Sequence, residues 1–211
     1  MSNVGALAVI NRGEYTVFFV NKFNWLDASP MATVSTMSTY ALAEQGCNTT
    51  LIIEGDPKAN PDKILEKKFG LTPLPNYHVQ LFRRRLFGKI KTTHAFYLKA
   101  IRHILKSPKS RNTIVISRNT TFLPYLVFLK KLFHYEVFFE AHGYHGPVTL
   151  PKLPPRPPMS FAARHSSYRY LEQFFINKCS GLICIIGMQR LLYEADFVKI
   201  PTIVLPLGSR K

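Results

Sequence analysis

The chain has 211 residues, of which 46% are hydrophobic, so it is long and apolar enough to form a sizeable buried core. No apolar run approaches the roughly 20 residues that span a bilayer, and residues 1–14 lack the long apolar core of a secretory signal peptide. The three cysteines are odd in number and lack metal-ligand spacing, which is typical of reduced thiols. We therefore expect a globular, cytoplasmic protein.

The formal net charge of +16 is concentrated in one part of the sequence. Residues 67–135 contain fifteen Lys and Arg and no Asp or Glu, which leaves thirteen basic and twelve acidic residues for the rest. An even basic excess affects mainly solubility, whereas a local one indicates a surface that faces an anionic partner.

Hydrophobic periodicity predicts strands that alternate with helices. The predicted strands are 15–20, 49–53, 77–82, 113–117, 136–139, 181–186 and 202–205. The predicted helices are 29–45, 62–69, 93–106, 122–133, 160–177 and 188–196. Strands this apolar are buried on both faces, so we expect a doubly wound, mostly parallel, Rossmann-like α/β sheet of about seven strands in a single domain.

Three local patterns refine this expectation. The first long helix begins near Ser29 and Pro30 and ends at Gly46, a typical C-terminal cap. Residues 147–158 include six prolines and are predicted to form a loop with polyproline character. Helix 93–106 is amphipathic. Its predicted buried face comprises Tyr97, Leu98, Ile101, Ile104 and Leu105, and its charged face Lys99, Arg102, His103 and Lys106.

In the stretch 135–146, the residues change from apolar to polar where the predicted strand ends. Glu140, His142 and His145 follow the apolar run among two glycines. Ligands of α/β proteins bind outside the carboxyl ends of the strands, so these polar groups are candidates for an active site. The alternative is a histidine held in a turn by a backbone carbonyl, and the residues alone leave both interpretations open. For His145, a turn or hydrogen-bonding role is favoured over metal ligation because no third ligand is near.

Two further predicted strand ends carry candidate residues. The loop after the first strand contains Trp25, the only tryptophan, and leads to a helix start whose N–H groups can receive a phosphate or sugar hydroxyl. Alternatively, Trp25 covers the edge of the sheet. Arg118 directly follows strand 113–117, where it either binds an anion or is solvated.

Several common catalytic motifs are missing from the sequence. There is no Gly-x-Gly-x-x-Gly after the first strand, no Walker loop, no His-Glu-x-x-His and no Gly-x-Ser-x-Gly. Clusters with metal-ligand spacing are also missing. We therefore expect neither a bound metal nor a dinucleotide cofactor.

From residue 15 onwards, the chain resembles the N-terminal domain of GT-B glycosyltransferases of family 4, which are retaining, nucleotide-sugar-dependent enzymes. The resemblance rests on the order of elements and on local matches at Leu42–Gly46, Ser117–Arg118, Glu140–Gly143, Ile183–Ile186 and Ile203–Gly208. It implies a division into an N-terminal extension (1–14), the Rossmann-like domain (15–206) and the start of an interdomain linker (207–211).

By this resemblance, the chain is the acceptor-binding half of an enzyme whose C-terminal domain binds the nucleotide sugar. His142 would lie beside the anomeric centre and assist transfer with retention through hydrogen bonding, Glu140 would order its turn, and no metal would be needed. The residues expected to line the acceptor side are Asn24, Trp25, Asp27, Ser29, Arg118 and Gly143. The chain alone would fold but would not turn over a nucleotide sugar.

The basic segment 83–91 suggests where such an enzyme works. Its expected membrane- or anion-binding residues are Arg83, Arg84, Arg85, Lys89 and Lys91, interleaved with the apolar Leu86, Phe87 and Ile90. This pattern predicts peripheral docking on the anionic inner face of a membrane, beside a glycan or lipid-linked acceptor. One alternative is a non-catalytic basic module that binds an anionic membrane or nucleic acid, although no nucleic-acid-binding motif is present. Another is a GT-B-fold epimerase.

Overall fold

The computed structural model describes residues 15–27, 29–86, 90–107, 112–145 and 159–205, with only the backbone of 86, 91 and 159–166. The strands are β1 (Tyr15–Asn24), β2 (Asn48–Glu54), β3 (Tyr77–Phe82), β4 (Arg85–Leu86), β5 (Ile90–Lys91), β6 (Asn112–Ser117), β7 (Glu136–Ala141), β8 (Gly181–Cys184) and β9 (Thr202–Val204). The α-helices are α1 (Pro30–Glu44), α2 (Pro61–Ile64), α3 (Thr93–Lys106), α4 (Leu123–Phe133), α5 (Met159–Phe175) and α6 (Gly187–Asp196). A π-helical turn, Leu65–Phe69, continues α2, and 3₁₀ turns occur at Thr120–Phe122 and Ile176–Lys178.

Seven of these strands form one parallel sheet in the order β3-β2-β1-β6-β7-β8-β9. The predicted Rossmann-like α/β fold is thereby confirmed. The chain first builds outwards from β1 to β3, then crosses back through α3 and builds in the other direction from β6 to β9. The point of reversal, between β1 and β6, is the topological switch point at which ligands bind in open α/β sheets.

Several element boundaries differ from the prediction for identifiable reasons. β1 continues through Asn24, beyond the apolar run, because its polar end still pairs with β2 near Glu54. β8 ends at Cys184 because the N–H of Ile185 donates to the side chain of Gln189 (3.0 Å). Segment 83–91 contains a short antiparallel pair, β4 and β5. The predicted loop 147–158 lies outside the described residues.

Two hydrophobic cores cover the faces of the sheet. One lies between the sheet and α1 and includes Trp25, Leu51 and Ile53. The other, larger core packs α3 and α4 against the opposite face. Among the described residues, none of the helices is both long enough and apolar enough to cross a membrane.

Helix α1 buries a face that is partly polar, and this face fixes the end of β1. Ser35 and Thr36 are fully buried, and each donates its hydroxyl to the carbonyl four residues earlier (2.9 and 2.8 Å). The same two hydroxyls accept hydrogen bonds from Asn21 Nδ2 (2.6 Å) and Trp25 Nε1 (2.9 Å), respectively. The helix begins at its Ser29 cap and stops at Gly46, whose φ of 90° confirms the predicted left-handed cap.

Helix α3 has the predicted bounds, but its buried face is rotated relative to the prediction. Leu98 was expected in the core and is 56% exposed, whereas Phe96 and Ala100 are fully buried. His103 was expected on the charged face, but its ring packs edge-on against Phe18 (6.4 Å) and Phe82 (6.0 Å). The helix packs against β1 and β3. The choice of its buried face therefore depends on the positions of strands that are distant in the sequence.

Candidate active site at the carboxyl edge of the sheet

Polar side chains bridge the ends of β1 and β6 at the switch point. The hydroxyl of buried Ser117 donates to the carbonyl of Val20 (2.8 Å), and Asn119 Oδ1 accepts from the N–H of Lys22 (2.8 Å). These bonds hold the two strand ends in register where the crevice begins. Asn119 was not identified from the sequence. Its position next to Arg118, directly after a predicted strand, would have been a reason to include it.

A buried ion pair joins the ends of β6 and β7. Arg118 is 4% exposed and Glu140 is 7% exposed, and Arg118 Nη2 donates to Glu140 Oε1. The guanidinium also lies over the ring of Phe19, with Cζ 5.5 Å from its centroid. Burial raises the pKa of the Glu140 carboxyl, and the positive charge of Arg118 opposes that shift. Each charge therefore depends on the other for its stability.

This pair corrects the interpretation of Arg118 as a solvated side chain. Its side chain is not solvated, and the anion that it binds is Glu140 of the same chain. Two of its nitrogen atoms, Nε and Nη1, are buried without a hydrogen-bond partner among the described residues. Unsatisfied buried donors are costly in ordinary structure and call for an explanation wherever they occur.

The turn after β7 is held by two side chains of α6. Gln189 Nε2 donates to the carbonyl of Ala141 (3.2 Å), and the hydroxyl of Tyr193 donates to the carbonyl of Gly143 (2.9 Å). These residues are four apart and therefore lie on one face of the helix. Their spacing is visible in the sequence, but the carbonyls that they bind, 48 and 50 residues away, are not.

The next two side chains of the turn are also anchored. The hydroxyl of Tyr144 donates to Asp196 Oδ2 (2.8 Å), and His145 Nδ1 donates to Glu172 Oε1 (2.7 Å). The hydrogen-bonding role predicted for His145 is thus confirmed. Arg169 completes the arrangement by donating to the carbonyl of His145 (3.3 Å). The backbone of the turn is consequently fixed on both sides of His142.

His142 is the member of this turn that remains available. Its side chain is exposed at the rim, and its imidazole makes no hydrogen bond to any residue that the structure describes. Partial desolvation by the neighbouring protein, and secondarily the charge of Arg118, lowers the pKa of His142 below its ordinary value. The ring is therefore neutral at pH 7, with one nitrogen able to donate and the other able to accept.

The loop after β1 forms the other side of the rim. Asn24 Nδ2 donates to Asp27 Oδ1 (3.0 Å), and both side chains remain at least partly accessible. Lys68 Nζ holds the loop from below by donating to the carbonyls of Trp25 (2.8 Å) and Asp27 (3.1 Å). Asn24 and Asp27 are thus presented on a rigid loop.

Trp25 and Ser29 support this loop and have little capacity to contact an acceptor. Trp25 is fully buried and stacks on Phe69 with ring centroids 5.7 Å apart, so the acceptor-lining role expected for its side chain is corrected. Ser29 Oγ accepts from the N–H of Met31 (3.3 Å) as the N-cap of α1. Gly143, in contrast, is exposed, and no atom lies within 4 Å of where a Cβ would be.

The basic segment 83–91 is only partly free to bind an external anion. Arg83 pairs with Asp56 (2.8 Å) and Arg84 pairs with Glu54 (2.6 Å), so each of these two arginines already has a carboxylate partner within the chain. Arg85 is exposed and has no ion pair within the described part of the chain. Lys89 and the side chain of Lys91 lie outside the described residues.

No metal site emerges from this geometry. The described residues contain no group of three or more His, Cys, Asp or Glu side chains placed to hold a metal ion. Within the described residues, neither His142 nor His145 belongs to such a group.

Comparison of the chain with models of known protein families gives no match, and a search among curated proteins finds no significant relative. The fold and the rim together define a Rossmann-like α/β protein with a candidate site at the carboxyl edge of its sheet. Because one such fold supports many chemistries, function must be argued from the site itself.

The Arg118–Glu140 pair generates a stability prediction. Arg118→Met leaves Glu140 buried without a partner, so the free energy of unfolding should fall by about 3–5 kcal/mol. The double variant Arg118→Met/Glu140→Leu removes both charges and should recover most of that loss. Urea denaturation of the wild type, both single variants and the double variant measures the coupling. Additive losses would show that the two charges do not depend on each other.

The lowered pKa of His142 can be measured by NMR titration of its ring protons. We expect a midpoint below that of the same ring in the urea-unfolded chain. Because the folded state favours the neutral ring, this residue's contribution to stability is fully present above the unfolded pKa and is lost as pH falls through the folded pKa. A midpoint at or above the unfolded value would contradict the neutral state assigned to His142.

Proposed function

We propose that this domain is the acceptor-binding half of a retaining glycosyltransferase, which acts with a second domain that binds a nucleotide-sugar donor. The observation that carries the proposal is the exposed His142 on a turn that residues of α5 and α6 anchor by hydrogen bonds. It lies at the carboxyl edge of a parallel sheet, which is where α/β proteins bind their ligands. A single free hydrogen-bonding group on a fixed scaffold is the arrangement that transition-state stabilisation requires.

The chemistry available to His142 is hydrogen bonding to a sugar. A neutral imidazole can donate to a hydroxyl oxygen of the transferred sugar or accept from a sugar hydroxyl, and an accepting nitrogen stabilises the positive charge that develops at the anomeric carbon. The fixed turn means that little reorganisation is needed at that moment. No covalent intermediate with His142 is invoked.

The burial and ion pairing of Glu140 favour sugar transfer over the usual mechanism of glycoside hydrolysis. Most glycosidases place two available carboxyl groups on either side of the scissile bond. Here Glu140 is buried and paired with Arg118, so it is not available as a nucleophile or a general acid. Its role in the proposal is to position Arg118 and the start of the turn.

Asn24 and Asp27 are the groups that we propose for acceptor binding. An amide and a carboxylate are suitable partners for sugar hydroxyls, and their loop is held by Lys68 and by the buried ring of Trp25. Since β1 and β7 are two strands apart, roughly 10 Å separates this loop from the turn of His142. A glycan acceptor can span that distance.

We also propose that the hairpin formed by β4 and β5 docks on an anionic membrane surface on the cytoplasmic side, close to a lipid-linked acceptor. Ile90 is 62% exposed, and the exposed Arg85 is nearby in the same hairpin. An apolar residue beside a free cation is suited to the headgroup region. Peripheral binding of this kind requires no membrane-spanning helix.

Sugar transfer is tested in membranes from cells that produce the protein, supplied with a panel of radiolabelled nucleotide sugars. His142→Ala should lower the rate of label transfer by about 100- to 1,000-fold, the scale for losing one such donor, without loss of folded protein. The matched control is His78→Ala, which removes another exposed histidine on the edge strand β3 and should retain activity. The purified chain alone should show no turnover.

Two results would overturn this assignment. Transfer by the His142→Ala variant within a few-fold of wild type would make His142 a structural turn residue. Wild-type membranes with no more transfer than membranes from cells lacking the protein would favour a basic binding module without catalytic activity.

Membrane docking is tested by co-sedimentation with vesicles of neutral lipid or of lipid containing phosphatidylglycerol. Arg85→Gln should weaken binding to the anionic vesicles by about fivefold, since one basic residue contributes on the order of 1 kcal/mol. Ile90→Ser should weaken it as well, whereas Leu132→Ser, which replaces a leucine that is 60% exposed on α4, should not. Equal binding to both kinds of vesicle would contradict the proposal.

A further inference from the structure

A basic cavity lies on the other side of the domain from His142. On the face of the sheet that carries α3, the edge strand β3 is not fully covered, and a cavity of about 570 Å³ opens between them. Its lining includes five cationic side chains: Arg83, Arg85, Lys99, Arg102 and Lys106. Since β3 and β7 are four strands apart, about 19 Å separates this cavity from the turn of His142.

Hydrogen bonds from one of these cations to the backbone keep the basic residues close together. Lys99 Nζ donates to the carbonyls of Arg83 (3.0 Å) and Arg85 (2.8 Å), which ties the chain around the start of β4 to α3. As a result, Lys99 of α3 lies beside the segment that carries Arg83 and Arg85. Clustered charge of one sign destabilises a folded protein through self-repulsion, so an arrangement that enforces it calls for a counter-ion.

The protein supplies little negative charge to balance the cluster. Asp56 neutralises Arg83, but within the described part of the chain Arg85, Arg102 and Lys106 have no ion-pair partner, and all three are exposed. Three uncompensated cations exceed what a single carboxylate can balance. They match a ligand that carries two or more phosphate charges, to which arginine can also bind in bidentate fashion.

The cavity also has an apolar part. Phe82 and the ring of His103 stand edge to face, 6.0 Å apart, in its wall. Burial lowers the pKa of His103, so this ring is neutral at pH 7 and adds no further charge. The volume is within the range of about 300–1,000 Å³ that is common for small-molecule sites. Cations around a partly apolar cavity suit a phosphorylated compound better than a bare ion.

We propose that the cavity between β3 and α3 is a binding site for the phosphate groups of a multiply phosphorylated ligand, held chiefly by Arg85, Arg102 and Lys106. The ligand is either a soluble phosphate ester or the phosphorylated headgroup of a lipid, because both present the same chemistry. This site is separate from the rim that carries His142 and does not depend on sugar transfer.

The test uses pyrophosphate as the soluble probe, at constant ionic strength. Pyrophosphate should raise the melting temperature of the protein saturably, since a ligand that binds only the folded state stabilises it. The variant Arg102→Gln/Lys106→Gln should bind it at least tenfold more weakly. The matched control Lys63→Gln/Lys131→Gln loses the same net charge at exposed positions away from the cavity and should bind within twofold of wild type.

A second arm identifies the source of the phosphate. Vesicles that contain phosphatidic acid, with a terminal phosphate, are compared with phosphatidylglycerol vesicles of equal surface charge. Preference for phosphatidic acid that is lost in the Arg102→Gln/Lys106→Gln variant assigns a lipid headgroup, and binding of pyrophosphate alone assigns a soluble ligand. Ile90→Ser should leave pyrophosphate binding unchanged, so this site and the membrane-docking hairpin can fail separately.

Three results would overturn the proposal. One is the lack of saturable binding of either probe. Another is an equal loss of binding in the control variant, which would mean that the charge acts diffusely. The third is binding of a single-stranded RNA oligonucleotide that pyrophosphate does not displace, which would make this surface a nucleic-acid interface.

Discussion

The buried ion pair between Arg118 and Glu140 is the interaction on which the candidate site depends. It connects the residue directly after β6 with the end of β7, at a depth where an unpaired charge would be strongly destabilising. Because neither residue can leave its partner, the two strand ends have a fixed relation to each other. His142 follows Glu140 by two residues, so its position at the rim is set by this pair.

Around the pair, the structure separates fixed groups from free ones. The turn of His142 is anchored to Gln189 and Tyr193 of α6, and the loop of Asn24 is anchored by Lys68 and Trp25. The anchored groups are buried or bonded within the chain, while the imidazole of His142 is left without a partner in the described residues. A preorganised site needs this division, because a group that is already hydrogen-bonded within the protein is not free to bind a substrate.

The concentration of basic residues in 67–135 has a partly structural explanation. Arg83, Arg84 and Arg118 pair with acidic residues, which all come from other parts of the sequence. Lys68, Lys99 and Lys130 donate to backbone carbonyls. Among the residues that line the basic cavity, Arg85, Arg102 and Lys106 are exposed and have no ion pair within the described part of the chain. The net charge of this segment therefore overstates the positive charge that is free to meet an anionic ligand.

The sequence by itself determined the class of fold, because buried parallel strands and amphipathic helices have hydrophobic periods that depend on local order alone. It also placed Glu140 and His142 at a strand end and identified the cap at Gly46. Only the tertiary structure decided that Trp25 is core, that Leu98 is exposed and that Arg118 is paired with Glu140. Burial and ion pairing depend on residues far along the chain, and their positions are set by strand order and helix packing.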